Sequence, residues 1–165
     1  MRAPIQFLAL LLVTTEPAFA QQHEHTAGMQ HSNDSAFAAV QRRGQTVMGV
    51  DQYTSTHVFA PLPDGGRIEL QRDSADSAGT AQIRTHLAEV AAQLTRGDFS
   101  APFLVHDQAV PGTAVMAAKR DKIRYTVHPL PRGGEIRITT KDRQALAAVQ
   151  EFLAFQRSDH RAGDH

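Results

Sequence analysis

Two segments of the chain alternate hydrophobic and polar residues with the period of two that is typical of β-strands. Residues 57–70 and 125–138 share the pattern P-L-P-x-G-G-x-I-x-(L/I), at an offset of 68 residues. In each segment a run with aromatic or β-branched residues leads into a Pro/Gly-Gly turn, and an alternating strand leads out of it. The pattern predicts two β-hairpins and an internal repeat, with repeat units of about 46–97 and 119–160.

Each predicted hairpin is followed by a segment in which hydrophobic residues recur with the period of a helix. The residues on the two helical stripes are Ile83, Leu87, Val90 and Leu94 in the first helix and Leu146, Val149, Phe152, Leu153 and Gln156 in the second. Asp73 or Ser77 is expected to cap the start of the first helix, and Thr140 or Asp142 that of the second. Gly97 is expected to end the first helix.

The order ββα–ββα predicts an α+β fold, in which a four-stranded antiparallel sheet carries both helices on one face. The strand residues expected to point into the core are Ile68, Leu70, Ile136 and Ile138. The charged residues that alternate with them are Arg67, Glu69, Glu135 and Arg137. Three uses of the resulting polar face stay open: solvent surface, a homodimer interface or a platform for a ligand. Residues 98–118 are expected to form a long connection between the two units.

The start of the chain has the layout of a cleavable secretory signal. Arg2 supplies a positive charge, residues 5–13 are apolar, and the motif Ala18-Phe19-Ala20 is a typical cleavage site. The apolar run is far shorter than the ~20 residues that a spanning helix needs. We therefore expect residues 1–20 to be a signal peptide cleaved after Ala20, with no membrane anchor, and the mature protein to be periplasmic or extracellular.

The residues after the signal divide into a tail and a domain. Residues 21–41 are mostly polar and small and show no hydrophobic period, which predicts a flexible tail. Residues 42–165 are expected to form a single α+β domain. Lys plus Arg and Asp plus Glu number 17 each, and this neutrality argues against nucleic-acid binding. The chain has no cysteine, which excludes disulfides and thiol catalysis.

The tail contains the most specific chemical pattern in the sequence. Cleavage after Ala20 would place His23 third in the mature chain, where the amine, two backbone amides and an imidazole can surround a metal in a square. Square-planar nitrogen ligation favours Cu(II) or Ni(II), and a Met thioether suits Cu(I). The predicted metal-binding residues are Gln21, Gln22, His23, His25, Met29 and His31. A solvated spacer with no bound metal is the alternative, and copper is the one cofactor that the sequence suggests.

The predicted domain offers few residues for catalysis. His106 and Asp107 are adjacent in the long connection, where an Asp could orient a His as a base or ligand. Motifs for a nucleophile elbow, a phosphate-binding loop and a zinc protease are missing from the sequence. The alternative for His106 and Asp107 is a structural or solvated pair. The C-terminal Asp159-His160 is interpreted as part of a frayed polar end.

Several stretches of the mature chain together carry a resemblance to a known family. They include RRGQTVMGVDQYTSTHVF, LPDGGRIELQRD, IRTHLAEVAAQL, VHDQAVPGTAVM, IRYTVHPLPRGGEIRITT and LAAVQEFLAFQRSDH. These stretches resemble a family of small exported bacterial proteins of unknown function, some of which are labelled aspartate carbamoyltransferase. The resemblance implies no residue roles, and the Ser-Thr-Arg-Thr phosphate loop of those enzymes has no counterpart in this sequence.

The sequence thus favours an exported, non-enzymatic binding protein of unknown ligand, with copper or nickel binding in the tail. The first alternative is a protein-interaction or structural module that uses the exposed sheet face or the groove between the repeat units. The second is a small hydrolase or isomerase that uses His106 and Asp107. The partner of such a module is not indicated by any motif.

Overall fold

The computed structural model describes residues 21–49 and 52–162, with side chains from residue 34 onward except those of Met48 and Gln52. The helices are α1 (Gln21–Met48), α2 (Ser77–Thr95), α3 (Ser100–His106), α4 (Thr113–Ala118) and α5 (Arg143–Asp159). The strands are β1 (Ser55–Leu62), β2 (Gly65–Arg72), β3 (Ile123–Leu130) and β4 (Gly133–Thr140). Short 3-10 turns cover Gln52–Thr54 and Arg120–Lys122. The predicted signal, residues 1–20, lies outside the described residues.

The strands form one antiparallel sheet in the order β1-β2-β4-β3, so that β2 and β4 lie in its centre. In the central pair Ile68 is opposite Ile136, and Gly66 is opposite Ile138. This confirms the predicted α+β fold with a four-stranded antiparallel sheet. The internal repeat stays a prediction.

Glycines allow the two central strands to approach each other. A Cβ atom on Gly65 would lie 2.0 Å from the backbone oxygen of Ile138. A Cβ atom on Gly133 would lie 1.9 Å from the backbone oxygen of Leu70. Both distances are far below a normal contact, so only glycine fits at either position. The Gly-Gly pairs, which the sequence pattern placed in the turns, therefore open β2 and β4 and act in the pairing of the two hairpins.

The two long helices of the domain lie on one face of the sheet, and each covers the hairpin to which it is not directly joined. α2 follows the β1–β2 hairpin but packs mainly on β3 and β4, whereas α5 follows the β3–β4 hairpin but packs mainly on β1 and β2. The buried core includes Ile68, Leu70, Ile83, Leu87, Leu94, Ile136, Ile138, Val149, Phe152 and Leu153. The strand residues predicted to point inward are all in this core.

The helix caps are partly as predicted. Asp142 caps α5, because its side chain accepts hydrogen bonds from the backbone N–H groups of Gln144 and Ala145. The cap of α2 is Asp76, which accepts from Gly79, so the expected caps at positions 73 and 77 were wrong. The sequence pattern locates the start of a helix only to within one or two residues, so it did not identify Asp76 as the cap.

The outer face of the sheet carries charged residues, as predicted from their alternation. Arg67 Nη1 lies 3.5 Å from Glu69 Oε2 and 4.0 Å from Glu135 Oε2. Arg137 pairs with Asp64 in the β1–β2 turn and donates to the backbone oxygen of Gly66. Such surface pairs add little stability. Their effect is to keep this face polar.

The remaining helices lie where the sequence predicted irregular chain. α3 and α4 occupy the connection 98–118, and α1 covers the segment for which a flexible tail is expected. Of the described residues, 35–49 and 52–162 form one compact unit, and residues 21–34 of α1 belong to another. Within the larger unit Val40 and Gln41 of α1 are buried, and Arg43 donates to the backbone oxygen of Val105 at 2.7 Å. No helix in the described part of the chain combines the length and hydrophobicity needed to span a membrane.

Candidate functional site

A cavity of about 80 Å³ lies between the sheet and helices α2, α3 and α5. Ten of its lining residues are apolar, and they come from three strands and all three helices. The polar lining residues are His57, His86, His106, Gln156 and His160. A mostly apolar cavity with a few converging polar groups is typical of a site for a small ligand.

Histidine and phenylalanine rings form one wall of this cavity. The ring centroids of His57 and His160 are 5.6 Å apart with an interplanar angle of 15°, and those of Phe59 and His160 are 5.3 Å apart. The ring of His106 meets that of His160 edge-on, with centroids 5.1 Å apart. His57 is opposite Leu70 in the sheet, which places it on the core face of β1. His160 follows the last residue of α5, where its backbone N–H bonds to the backbone oxygen of Gln156.

His106 ties α3 to α5 through both of its ring nitrogens. Nδ1 lies 2.5 Å from Asp159 Oδ2, and Nε2 lies 3.0 Å from Gln156 Oε1. A carboxylate only accepts hydrogen bonds, so Nδ1 donates to it, while the Gln156 carboxamide can turn to donate or accept. The side chain of His106 is 1% exposed. Because both nitrogens have partners within the protein, this imidazole acts as a structural link rather than as a free base.

His57 and His160 differ from His106 because each has a buried nitrogen without a partner. Nε2 of His57 and Nδ1 of His160 are both buried and make no hydrogen bond among the described residues. Burial, reinforced by nearby His86, lowers the pKa of His57 to about 4. Burial, with His57 and His106 close by, lowers the pKa of His160 to about 3. A backbone hydrogen bond to Ser55 and the charge of Asp73 act in the opposite direction and raise the pKa of His57, but burial outweighs both. Both side chains are therefore neutral at pH 7.

The described lining of the cavity carries no hydroxyl, thiol, amine, guanidinium or carboxylate side chain. None of the described residues that line it is Ser, Thr, Cys, Tyr, Lys, Arg, Asp or Glu. Within residues 21–49 and 52–162, no three His, Asp or Glu side chains among those described are placed to hold a metal ion. His86, whose pKa burial also lowers, adds a further neutral imidazole. The arrangement suits an uncharged ligand.

Comparisons with protein-family models, with curated proteins and with solved structures found no match. Family membership therefore stays a prediction from the sequence resemblance.

The predicted pair His106 and Asp107 is separated by the structure. His106 is buried, whereas Asp107 is exposed at the end of α3, in a left-handed conformation with φ of 56°. The carboxylate that contacts His106 is that of Asp159, which the sequence analysis assigned to a frayed end together with His160. The sequence does contain a signal that the end of α5 faces the core. One helical stripe runs through Val149, Phe152 and Gln156 to His160.

The predicted tail site lies outside the side chains that the structure describes. Its residues are Gln21, Gln22, His23, His25, Met29 and His31. Copper or nickel binding by the tail stays a prediction.

Proposed function

We propose that this is an exported binding protein that holds a small, uncharged ligand in the cavity between the sheet and helices α2, α3 and α5. The observation that carries the proposal is the cavity itself, whose described lining combines ten apolar residues with the side chains of four histidines and Gln156. A largely apolar enclosure with few polar groups favours a small ligand without a formal charge.

Binding is favoured over catalysis by the chemistry of the lining. Among the described residues, none that lines the cavity has a nucleophilic hydroxyl, thiol or amine side chain. The one imidazole with a carboxylate partner, that of His106, is already bonded at both nitrogens. His57 and His160 have lowered pKa values, which makes them weak bases at neutral pH.

The interaction module that the sequence left open ranks below ligand binding. The outer sheet face carries the ion pairs of Arg67 with Glu69 and Glu135. A partner docking there would have to desolvate these charges, which is unfavourable. Binding in the cavity needs no such step, because the residues described in its lining include no carboxylate, ammonium or guanidinium group.

Methyl NMR spectra of the mature protein under xenon pressure test whether the cavity accepts a guest. We expect shifts confined to lining methyl groups, such as those of Val105 and Ile136, because apolar cavities bind xenon. Ala101 lines the cavity and Ala114 is exposed on α4, so Ala101→Leu should abolish the shifts and Ala114→Leu should leave them unchanged. Shifts that are absent, or that survive Ala101→Leu, would contradict the proposal.

A further inference from the structure

Histidine rings hold the end of α5 against β1 and α3. The ring of His160 is stacked on that of His57 in β1, with centroids 5.6 Å apart, and on that of Phe59, with centroids 5.3 Å apart. One residue earlier in the chain, Asp159 bonds to His106 of α3. Three imidazoles from three different parts of the chain therefore meet in one wall of the cavity.

The stacked pair of His57 and His160 has no room for a proton. Nε2 of His57 and Nδ1 of His160 are buried and have no hydrogen-bond partner among the described residues. A protonated imidazole carries an N–H on both nitrogens, so each charged ring would have a buried N–H without an acceptor. Two charged rings at this distance would also repel each other. Because an unpaired buried charge is strongly unfavourable, the closed packing requires both rings to be neutral.

The groups that face the stacked pair from other elements do not offset such a charge. Burial lowers the pKa of His57, and His86 of α2 lowers it further. Asp73, which follows β2, raises the pKa of His57 but is outweighed. Burial also lowers the pKa of His160, as do His57 and His106.

The chain neighbours of His160 are charged but do not stabilise a proton on it. The carboxylate of Asp159 is engaged by His106. The guanidinium of Arg161 lies over the ring of Phe37 in α1, 4.5 Å from its centroid, and adds a further positive charge. A proton on His160 would therefore meet more positive charge than free negative charge.

Movement of the end of α5 away from β1 would expose both rings to water. The ladder hydrogen bonds of the sheet join only the four strands, so they remain intact when one end of a helix lifts off. The contacts that would be lost are the stacked rings and the bond between Asp159 and His106. The cavity would open on this side, because its wall there consists of these rings.

We propose that the stacked pair of His57 and His160 is an acid-sensitive latch, whose protonation releases the end of α5 from β1 and opens the cavity while the sheet stays folded. This inference rests on the proposed function, because it describes how access to the same cavity is regulated. The latch is closed above pH 6.5, the ordinary pKa of histidine, and opens progressively as the pH falls below that value.

Amide hydrogen exchange at pH 7 and pH 5 tests the latch. After correction for the intrinsic exchange rates, the protection factors of residues 156–160 should fall about 20-fold for each histidine that titrates. The amides of β4 should remain better protected at both pH values, because the sheet does not open. Protection of residues 156–160 that does not change with pH, or that equals the protection of β4, overturns the latch.

Two substitutions separate the effect of titration from that of packing. His160→Phe keeps a ring in the stack that cannot be protonated, so the loss of protection between pH 7 and pH 5 should become about 20-fold smaller. Phe59→Leu is the matched control, because it removes a ring next to His160 and keeps both imidazoles. It should lower protection by the same factor at both pH values. His57→Phe gives the same test if His160→Phe does not fold, and an undiminished pH dependence in the folded variant overturns the latch.

Xenon-induced methyl shifts at pH 7 report on the cavity separately from the latch. Xenon binding together with exchange that does not depend on pH overturns the latch alone and leaves the proposed function standing. Absence of the xenon shifts overturns the proposed function, whatever the exchange of residues 156–160 shows.

Discussion

His106 at the end of α3 and Asp159 at the end of α5 are joined by a hydrogen bond of 2.5 Å, although 53 residues separate them in the chain. This bond fixes α3 against α5 and thereby closes one side of the cavity. Asp107, the sequence neighbour of His106, faces solvent and makes no such contact.

Asp159→Asn should weaken this link. The substitution keeps the shape of the side chain and removes the charge of the acceptor. The hydrogen bond to His106 should weaken, because a charged acceptor forms a stronger hydrogen bond than a neutral one. We expect the free energy of unfolding to fall by about 1–3 kcal/mol, measured by urea denaturation at pH 7. Asp107→Asn makes the same chemical change at the exposed neighbour and should alter stability by less than about 0.5 kcal/mol. Equal effects of the two substitutions would show that the link contributes nothing.

Gly133→Ala should be among the most damaging single changes in the sheet. A Cβ atom there would lie 1.9 Å from the backbone oxygen of Leu70, and the paired central strand cannot retreat without breaking its hydrogen bonds. We expect a loss of about 3 kcal/mol or more, measured as a shift of the thermal midpoint. At Gly134 the nearest atoms would be 3.1 Å away, so Gly134→Ala should cost clearly less. A reversed order would mean that β2 and β4 do not pair in this register.

The buried imidazoles make stability depend on pH. The pKa values of His57 and His160 are lowered to about 4 and about 3, from the 6.5 of an ordinary histidine. At a pH between 6.5 and the lowered pKa values, these imidazoles are protonated in the unfolded chain and neutral in the folded chain. The free energy of unfolding is therefore undiminished above pH 6.5 and falls as the pH decreases below it. The slope reaches about 1.4 kcal/mol per pH unit for each histidine.

Urea midpoints measured from pH 7.5 to pH 4.5 check this slope. Asp64 and Asp142, whose pKa values are lowered by Arg137 and Lys119, keep their charges throughout this range. His160→Gln should make the slope shallower, because it removes one buried titrating ring. Stability that stays flat between pH 7 and pH 5 would argue against neutral buried histidines.

The predicted tail site has a direct test in the intact mass of the exported protein, recorded with and without one equivalent of Cu(II). We expect a chain that begins at uncyclised Gln21 and holds one copper tightly, because the free amine and His23 complete the square of ligands. His23→Ala should lose the copper, while the matched change His128→Ala should keep it. A different first residue, a pyroglutamate or loosely held copper would count against metal binding.

Local patterns predicted the fold well. The alternation in residues 57–70 and 125–138 identified all four strands, although Gly65 and Gly133, which the pattern placed in the turns, are the first residues of β2 and β4. The predicted stripe of α2 is buried at Ile83, Leu87 and Leu94. These elements are predictable because periodicity is a property of neighbouring residues. α1 was not predicted, since its buried positions in the larger unit are too few to show a period.

Such local patterns predicted little of the candidate site. The sequence alone determined the strands, the turns and the hydrophobic faces of α2 and α5, because each is specified within a few residues. Only the tertiary structure decided that each helix covers the other hairpin, which carries the end of α5 to β1 and brings His160 beside His57. The burial and neutrality of these rings, and the cavity between them, follow from that packing of distant segments, which no spacing along the chain encodes.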